Sequence, residues 1–585
     1  MTKEAITRKT LALLRWLRRR ARGSDIVFVL VAIVVGTAAA LGSIAVGAIA
    51  RTLQHWFYDL PPAARVSQLA RISGPVLLLL PLGGAMLALF SMLVRSRKRA
   101  MVDAVEANAL HGGRMSLPDS LVIAGQTAIS NGFGASVGLE AAYAQIGAVA
   151  GSMAAKALNL RRSDYRDLVG AGAGAAIAAA FGAPLAGAFY AFEIVIGAYT
   201  PSAIAPVAAA SLAGVLVAQT LGVQPYILDA QSGGVVQTHH YIIYGGLGAV
   251  CAILGIALMR AVALLDRLSR RLPFPEWSRP VVGGALLMPI AILSPQVLSA
   301  GHGALHADLA VGASLAFIAT ILLAKAAASA ISLGFGFRGG LFFASLFLGT
   351  LIGHLFANLT NLAFGYPLLD PVNAALVGMA TFAVAVVGGP MTMAMLVLEA
   401  THDFSLTGAV LAGSLVSSTI VRESFGYSFS TWRLHLRGQS IKSARDVGWV
   451  RNLTARQMMR RDVRTILAST TAGEFRLQFP LGSTSRAVLA DAEGRYAGIV
   501  PVATAYADGV SADASISTMA VATDAALTPD MDIATVMRRL EAARADELAV
   551  LDPDRRVLGL VSDGHVRRRY AEELEKAQRE IFGEG

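Results

Sequence analysis

The stretch GAGAAIAAAFGAPLAGAFYAFE, residues 172–193, has a counterpart in GMATFAVAVVGGPMTMAMLVLE, residues 378–399. Each copy has an initial glycine, then a G-x-P turn, and then a glutamate nine residues after the proline. The matching positions are Gly172, Gly182, Pro184 and Glu193 in one copy, and Gly378, Gly388, Pro390 and Glu399 in the other. The copies lie 206 residues apart. This shared frame predicts that the chain contains an internal duplication.

A second shared frame, G-x8-G-x3-G, precedes each copy. It begins within GASVGLEAAYAQIG (134–147) and within GFGFRGGLFFASLFLG (334–349). The matching glycines are Gly138, Gly147 and Gly151 in the first copy, and Gly340, Gly349 and Gly353 in the second. Sequence rich in alanine and glycine produces accidental matches. Two frames in the same order at nearly the same offset are difficult to attribute to chance.

The composition indicates a membrane protein. Of the 585 residues 55% are hydrophobic and 15% are charged, whereas soluble proteins carry about 25% charged residues. Apolar runs long enough to cross a bilayer, which takes about 20 residues in a helix, recur up to residue 440. The clearest are 26–50, 74–94, 168–196, 202–222, 239–265, 309–330, 373–398 and 406–421. These runs predict an all-α polytopic domain.

The charge pattern predicts an orientation. Residues 1–25 are basic, and VRSRKRA (94–100) is a second basic cluster. Lys and Arg beside a first span favour a cytoplasmic N-terminus, so the net charge of +11 indicates contact with anionic lipid rather than with nucleic acid. The single cysteine, Cys251, excludes internal disulfides and cysteine-based metal sites. We expect both termini to be cytoplasmic, in a bacterial inner membrane.

The chain changes character after about residue 440. We predict a basic N-terminus (1–25), a membrane domain (26–440) with repeats at about 70–235 and 240–440, and a cytoplasmic α/β tail (441–585). The tail repeats weakly: AVLADAEGRYAGIVPV and LAVLDPDRRVLGLVSD each combine a strand, a turn and a strand.

The repeats of the membrane domain indicate a class of function. Inverted repeats whose helices are broken by glycine and proline are typical of transporters, in which helix ends face the substrate near the midplane of the bilayer.

Glu140 is the informative residue of the first glycine frame. An acid inside a membrane costs about 2.5–3.5 kcal/mol on insertion scales, so a functional role is its default interpretation. If the segments after Gly138 and Gly340 start helices, the two N-termini converge, each with partial positive charge and free N–H groups. Such a site offsets the free-energy cost of removing water from a small anion. The sequence therefore predicts an anion site.

These motifs resemble those of the CLC family of chloride channels and proton-coupled chloride transporters. GASVGLEAAYAQIG is similar to the G-x-E-x-P segment of the family, AAAFGAPLAGAFYAFE to its next segment, RGGLFFASLFLGTLIG to its G-x-F-x-P segment, and FGYSFSTW to its last helix. The resemblance implies that Glu140 is the gating glutamate. It also implies an anion site formed by Gly138, Leu139, Gly340, Leu341, Phe342, Phe343 and the Tyr427 hydroxyl, in a homodimer with one pore in each subunit.

The chain also departs from the family pattern. Leu139 and Ala142 replace the arginine and proline of the gating segment, and Ala344 replaces the proline of the second segment. The segment that supplies a serine in the family aligns with KRAMV (98–102), so Arg99, Ala100 and Met101 would flank the anion there. Arg99 or Lys98 would attract anions or hold one tightly. Alternatively, both residues only mark the cytoplasmic side.

Proton coupling depends on residue 194. Proton-coupled members carry two adjacent acids after the A-P-L-A-G stretch, and the second is the internal proton acceptor. Here the pair is Glu193-Ile194, and isoleucine cannot carry a proton. We therefore expect passive flow of chloride or of another small anion such as nitrate, bicarbonate or fluoride. A proton-coupled exchanger that uses another proton route, and a transport-inactive sensor anchored in the membrane, remain alternatives.

The tail resembles a pair of CBS domains, which can bind adenine nucleotides. The candidate contacts are Thr504 in the first copy and Ser562 and Asp563 in the second, at unusual spacing. A structural tail is the favoured interpretation.

His302 and His306 follow Gly301 and Gly303, which favours a polar loop over a metal site. We expect no cofactor, no metal and no enzymatic activity, because the chain lacks H-E-x-x-H, Walker-type and G-x-S-x-G motifs.

Overall fold

The structure is a computed structural model, which describes residues 24–61, 64–94, 101–225, 233–304, 314–436, 453–569 and 572. The chain divides into two compact units, at residues 446 and 447. The predicted boundary near residue 440, the basic segment before residue 24 and the 94–100 cluster after Val94 lie outside the described residues.

The described elements of the first unit are all helices, joined by loops. Its α-helices are α1 (Asp25–Tyr58), α2 (Leu79–Val94), α3 (Ala104–Leu110), α4 (Leu117–Gly132), α5 (Glu140–Leu158), α6 (Arg162–Phe181), α7 (Pro184–Tyr190), α8 (Pro201–Thr220), α9 (His240–Arg271), α10 (Arg279–Leu293), α11 (Leu315–Gly334), α12 (Phe342–Phe364), α13 (Pro371–Val387), α14 (Pro390–Thr401), α15 (Phe404–Ser424) and α16 (Phe429–Leu436). A π-helical turn, Ala191–Ile196, continues α7. Short 3-10 helices are Val66–Gln68, Gly74–Leu78, Glu276–Ser278 and Pro295–Val297.

Seven helical segments among the described residues are long and apolar enough to cross a membrane. Two of the predicted spans, 168–196 and 373–398, are each divided into two helices. The breaks lie at Gly182, with φ of 69°, and at Gly388 and Gly389, with φ of 90° and 75°. This left-handed backbone is strained for residues with a side chain, and the following proline has no N–H to continue the helix. The glycine and proline of the shared frame therefore end one helix and start the next.

The helices recur in the same order along the unit. Helices α1, α2, α4, α5, α6, α7 and α8 have counterparts in α9, α10, α11, α12, α13, α14 and α15. Packing repeats as well: α1 contacts α5, α6 and α8, and α9 contacts α12, α13 and α15. The duplication predicted from the two glycine frames is therefore present in the helix order, but this pairing starts its first copy at α1 (Asp25–Tyr58) and not near residue 70.

Close backbone contacts explain the glycines of the frames. A β-carbon on Gly147 of α5 would collide with the carbonyl of Gly172 on α6, and the reverse also holds. Gly349 of α12 and Gly378 of α13 exclude a side chain from each other in the same way. The pairs α5–α6 and α12–α13 thus approach backbone to backbone, as small residues permit between membrane helices.

The second unit is an α/β domain. Its described elements are α17 (Ala455–Met458), β1 (Thr465–Leu467), α18 (Ala472–Gln478), β2 (Arg486–Ala490), β3 (Tyr496–Pro501), α19 (Val502–Ala505), β4 (Ala526–Leu527), α20 (Ile533–Ala543), β5 (Glu547–Leu551) and β6 (Val557–Ser562), with a 3-10 turn at Ile516–Met519. The sheets β1-β2-β3 and β4-β5-β6 share one topology, in which the first pair is parallel and the second antiparallel. The predicted fold class, a helical membrane domain with a small α/β tail, is confirmed.

Candidate functional site

Gly138 and Gly340 join the two repeats at the start of α5 and α12. The N–H of Gly138 donates to the carbonyl of Gly340 at 2.9 Å, and the N–H of Gly340 donates to the carbonyl of Gly138 at 3.2 Å. Leu139 and Leu341 occupy the N-cap positions of the two helices. The helix N-termini that the sequence predicts to converge are thus held side by side, and their partial positive charges add.

Glu140 is the first residue of α5 and is buried, with 1% of its surface exposed. Its carboxylate lies against Gly138, where a β-carbon would overlap it, and it faces the backbone N–H of Phe343 in the first turn of α12. Neither carboxylate oxygen reaches hydrogen-bond geometry with any described residue. A negative group from one repeat therefore lies at the positive end of a helix from the other, at a distance or angle that does not make a well-formed hydrogen bond.

His302 lies beside the Glu140 carboxylate. Its Nε2 is 3.8 Å from Oε1 of Glu140, and its ring packs against Phe343 at a tilt of 31°, with centroids 3.7 Å apart. His302 is buried, so the interpretation of this segment as a plain polar loop is wrong for His302. His306 lies outside the described residues. A buried imidazole beside a buried acid is a second group that can take up a proton.

Lys325 is the other buried base in this region. It lies on α11 with no exposed surface, and its Nζ donates to the carbonyls of Val297 at 3.0 Å and Ser299 at 2.8 Å. The ammonium is close enough to Glu140 for an electrostatic interaction. Because its hydrogen bonds hold the chain just before His302, Lys325 supports the position of the imidazole.

A cavity of about 120 Å³ adjoins Glu140. The helix ends at Gly340, Leu341 and Phe342 form part of its wall. Its charged and hydroxyl-bearing lining residues are Asp103, Thr127, Glu140, Tyr190, Arg338, Ser430 and Arg433. Such a small cavity with donors and cations around it fits a dehydrated anion or a few waters.

A wider cavity of about 650 Å³ shares Arg338, Gly339, Phe429 and Arg433 with the smaller one. Arg267, Arg270 and Arg279 also line it, together with a single acid, Asp266. Asp266 binds Arg270 at 3.0 Å and Arg279 at 3.1 Å. The excess of arginine gives this cavity a positive potential, which concentrates anions beside the smaller cavity.

Several predicted site residues are found at this location. Met101, Ile194, Gly340, Leu341 and Phe342 line the small cavity with Glu140, whereas Gly138, Leu139 and Phe343 form the helix ends around the carboxylate. Lys98, Arg99 and Ala100 lie outside the described residues, so the predicted inner contact is represented by Met101 alone.

Tyr427 is placed elsewhere. Its hydroxyl is hydrogen-bonded to Nδ1 of His435 at 3.1 Å, its ring stacks on that imidazole with centroids 4.6 Å apart, and it does not line the small cavity. The hydroxyl is drawn away because the aromatic side chains of α16 offer it both a stacking surface and a polar partner. The structure therefore does not bring Tyr427 to the small cavity, and its implied contact with the anion stays a prediction.

The predicted nucleotide contacts belong to the second unit. Thr504 lies on α19 and Ser562 ends β6. The Asp563 carboxylate binds Arg567, with Nε and Oδ2 2.7 Å apart, so one of its oxygens is already occupied. Binding of an adenine nucleotide to these residues stays a prediction.

Sequence reasoning did not single out Lys325, Tyr190, Arg338 or Arg433. A lysine inside the predicted span 309–330 was a usable signal, because a charge within a membrane span is expensive and usually functional. The other three residues carry no signal at the level of sequence, since their roles depend on which helices surround the cavity.

Comparison with known proteins agrees with this geometry. A family model described as voltage gated chloride channel matches residues 83–422, and a CBS domain model matches residues 521–572. A putative chloride channel protein ClcB-like from Ralstonia nicotianae is 28% identical over 385 residues, covering 64% of this chain and 88% of the relative. The voltage-gated ClC-type chloride channel ClcB of Escherichia coli K12 is 28% identical over 342 residues, covering 58% and 81%.

Solved structures share the fold. A slow cyanobacterial Cl⁻/H⁺ antiporter superposes with a TM-score of 0.61 at 21% identity, covering 70% of this chain and 97% of the other. A eukaryotic CLC transporter gives 0.61 at 18% identity, covering 94% and 98%. A CLC-type fluoride/proton antiporter gives 0.56 at 19% identity, covering 68% and 95%. The chain therefore belongs to the CLC family of voltage-gated chloride channels and related transporters, with a CBS domain in its C-terminal part.

Proposed function

We propose that this protein carries small anions, chloride foremost, across the membrane through the site between the N-termini of α5 and α12, and that Glu140 is its gate. Ionised, the carboxylate occupies the position of an anion and closes the path. Protonated or displaced, it leaves the two helix ends to the anion. The observation that carries the proposal is a buried carboxylate at a helix N-terminus with no hydrogen bond to fix it.

A contrast with two other acids supports the gating role. Glu193 accepts hydrogen bonds from the N–H groups of Met391 and Thr392, at the start of α14. Glu399 likewise accepts two backbone bonds at the start of α7. All three acids face helix N-termini of the opposite repeat, and Glu140 alone among these three is left without such bonds. An acid held by hydrogen bonds is structural, whereas one without them is able to move.

The surroundings favour passage of anions. The arginine-lined cavity leads, through shared residues, to the small cavity beside Glu140, and the curated relatives named above are described as chloride channels. A fixed cation at every step would trap the ion. Helix ends provide weaker, distributed attraction at the narrow point, which allows the ion to leave.

We favour passive flow because Ile194, at the position of the internal proton acceptor, lines the small cavity and carries no proton. One observation supports coupled exchange as a second candidate: Asp103 lines the same cavity as Glu140. Asp103 caps α3 by accepting from the N–H of Glu106 at 2.8 Å, and its second oxygen is available for a proton. Two of the solved relatives are described as proton antiporters.

Anion efflux from proteoliposomes tests the proposal. The purified full-length protein is expected to release chloride faster than empty vesicles. Glu140→Gln should flatten the pH dependence of the flux, because the amide cannot ionise and compete with the anion. The matched control is Glu423→Gln, since Glu423 is an exposed carboxylate on α15. Absence of flux from the wild type would favour a membrane-anchored sensor, and an unaltered pH profile in Glu140→Gln would remove the gate assignment.

Proton coupling requires its own measurement. With passive flow, a chloride gradient moves no protons against their gradient. With coupled exchange, the external pH changes as chloride flows, and Asp103→Asn should abolish this change while chloride flux persists. Proton uptake driven by chloride in the wild type contradicts the passive assignment.

The apolar helices of a CLC-type domain make this an integral membrane protein. We further propose that it resides in the bacterial inner membrane with cytoplasmic termini, contacts membrane lipid and pairs with a second copy. Cross-linking in native membranes tests the pairing, and it fails if the cross-linked species has the mass of a single chain.

A further inference from the structure

Tyr190 is a buried hydroxyl group on the wall of the small cavity. It ends α7, is 8% exposed, and lines the cavity together with Glu140. Its ring packs edge-on against Phe342, with centroids 6.0 Å apart, and Phe342 is the first residue of α12. No hydrogen bond joins the Tyr190 hydroxyl to any part of the chain that the structure describes.

The Tyr190 oxygen is not among the described side-chain atoms that are both sealed from solvent and without a partner, so the hydroxyl opens into the cavity, where water or a ligand is its available partner. Two acids, Asp103 and Glu140, lie within electrostatic range of the Tyr190 side chain, yet neither accepts a hydrogen bond from it. Asp103 is held at the N-terminus of α3, and Glu140 is turned toward Gly138 and His302. The hydroxyl therefore has a proton to donate and no protein acceptor among the described residues.

The other hydroxyls of this region are less suited to bind an anion. Thr127 donates its proton to the carbonyl of Ile123 at 2.9 Å. Tyr427 is bonded to His435, outside the cavity. The Ser430 hydroxyl also lines the cavity and has no hydrogen bond to any described residue, but Ser430 is only half-buried, on α16. Tyr190 combines burial, a rigid ring and a position beside the N-terminus of α12, where the partial charge of the helix is greatest.

We propose that Tyr190, in place of Tyr427, donates the side-chain hydrogen bond to the anion in the cavity beside Glu140. This inference rests on the proposed function, because it assigns a binding residue to the anion path. A hydroxyl and the helix-end N–H groups bind a small monovalent anion from two sides. The phenol thus partly replaces the water that the ion loses on entry, without adding a fixed charge.

The test is calorimetric titration of potassium chloride into the full-length protein, purified in detergent and freed of chloride with a gluconate buffer. Tyr190→Phe keeps the ring and its packing on Phe342 and removes only the oxygen. Because a hydrogen bond to a charged group contributes about 1.5–3 kcal/mol, Tyr190→Phe should weaken chloride binding by about tenfold or more. Tyr427→Phe is the matched control and should change affinity by less than about twofold, whereas Ser430→Ala tests the other unpartnered hydroxyl of the cavity and should cost less affinity than Tyr190→Phe.

The outcomes separate this inference from the proposed function. If the wild type binds chloride and Tyr190→Phe binds it equally well, the inference is wrong and the anion path stands. A larger loss in Tyr427→Phe or Ser430→Ala than in Tyr190→Phe also overturns it. If the wild type neither binds nor conducts chloride, the proposed function itself fails. Thermal unfolding and gel-filtration profiles identify a misfolded variant. If Tyr190→Phe is misfolded, crystals of the wild type soaked in bromide decide the question, because anomalous diffraction locates the bromide ion. The inference requires bromide within hydrogen-bonding distance of the Tyr190 oxygen, and any other position refutes it.

Discussion

Glu193 and Glu399 each cap the helix that follows the G-x-P turn of the other repeat. The Glu193 carboxylate accepts from the N–H groups of Met391 and Thr392 at 3.1 and 2.8 Å and from the Thr392 hydroxyl at 2.7 Å. The Glu399 carboxylate accepts from the N–H groups of Leu185 and Ala186 at 2.7 and 2.9 Å. The glutamate nine residues after each proline therefore has a structural role, since it caps a helix of the opposite repeat.

Loss of either cap should destabilise the membrane unit. Glu399→Ala leaves the first N–H groups of α7 without their acceptor, so we expect a loss of about 1–3 kcal/mol in the free energy of unfolding. Glu193→Ala should cost at least as much, since it removes three hydrogen bonds. Thermal unfolding in detergent measures the effect, with Glu423→Ala on the exposed face as the control. Unchanged melting temperatures in both variants would show that water replaces the caps.

Gly138 and Gly340 provide a matched pair for testing the gate. Neither has a positive φ, so alanine fits the backbone at both positions. A methyl group at 138 would overlap the Glu140 carboxylate, whereas one at 340 would lie 3.4 Å from the Ala141 side chain. Gly138→Ala should therefore displace the carboxylate and give a flux with weak pH dependence, whereas Gly340→Ala adds a methyl group to the cavity wall without touching the carboxylate and should keep the pH dependence of the wild type. Equal behaviour of the two variants in the efflux assay would contradict the placement of Glu140.

His302 should contribute to the pH dependence of the flux. A protonated imidazole attracts the ionised Glu140 carboxylate and holds it in place, an effect present at acidic pH and lost as the ring is neutralised. Arg51 and Arg65 line a small cavity together with His302, and the Lys325 ammonium donates to the carbonyl of Ser299, close to His302 in the chain. His302→Gln should therefore raise chloride flux at acidic pH and leave the flux at alkaline pH unaltered.

Flux recorded from pH 5 to 8 in vesicles checks this expectation. His239→Gln is the control, because His239 is exposed at the start of α9. A uniform change at every pH would instead indicate that His302 acts through its packing on Phe343 alone.

Lys325 should be needed for both stability and gating. Lys325→Met keeps the length and the buried volume but removes the donor to the carbonyls of Val297 and Ser299, so we expect a loss of about 2–3 kcal/mol in stability. The segment that leads to His302 should loosen, which alters the pH profile in the same direction as His302→Gln. Lys156→Met, at an exposed lysine of α5, provides the comparison in thermal unfolding and in efflux. A Lys325→Met protein as stable as the wild type would show that the ammonium is not needed to hold those carbonyls.

Much of the fold was predictable from local signals. Apolar runs predicted membrane helices, and glycine followed by proline predicted where two of those runs break, because backbone strain and a missing N–H act within a few residues. The duplication was visible because both copies face the same constraint: glycines at 147, 172, 349 and 378 must let backbones touch. Glu140 stood out because an acid within an apolar segment is costly.

The partners of these residues were not predictable, since each depends on chain segments far apart in the sequence. The sequence predicted a polar loop around His302, whereas the fold brings its imidazole beside the Glu140 carboxylate, 162 positions away in the chain. The aromatic side chains of α16 turn the Tyr427 hydroxyl away from the cavity, while Tyr190 faces it.

The sequence by itself determined the membrane class, the duplication, the helix breaks and the acid at the start of α5, because these follow from hydrophobicity and backbone chemistry within short segments. Only the tertiary structure decided which helix end each carboxylate faces and which hydroxyls open into the cavity. Those properties arise from packing between distant helices, where a difference of a few ångströms decides whether a group is hydrogen-bonded or available to a ligand.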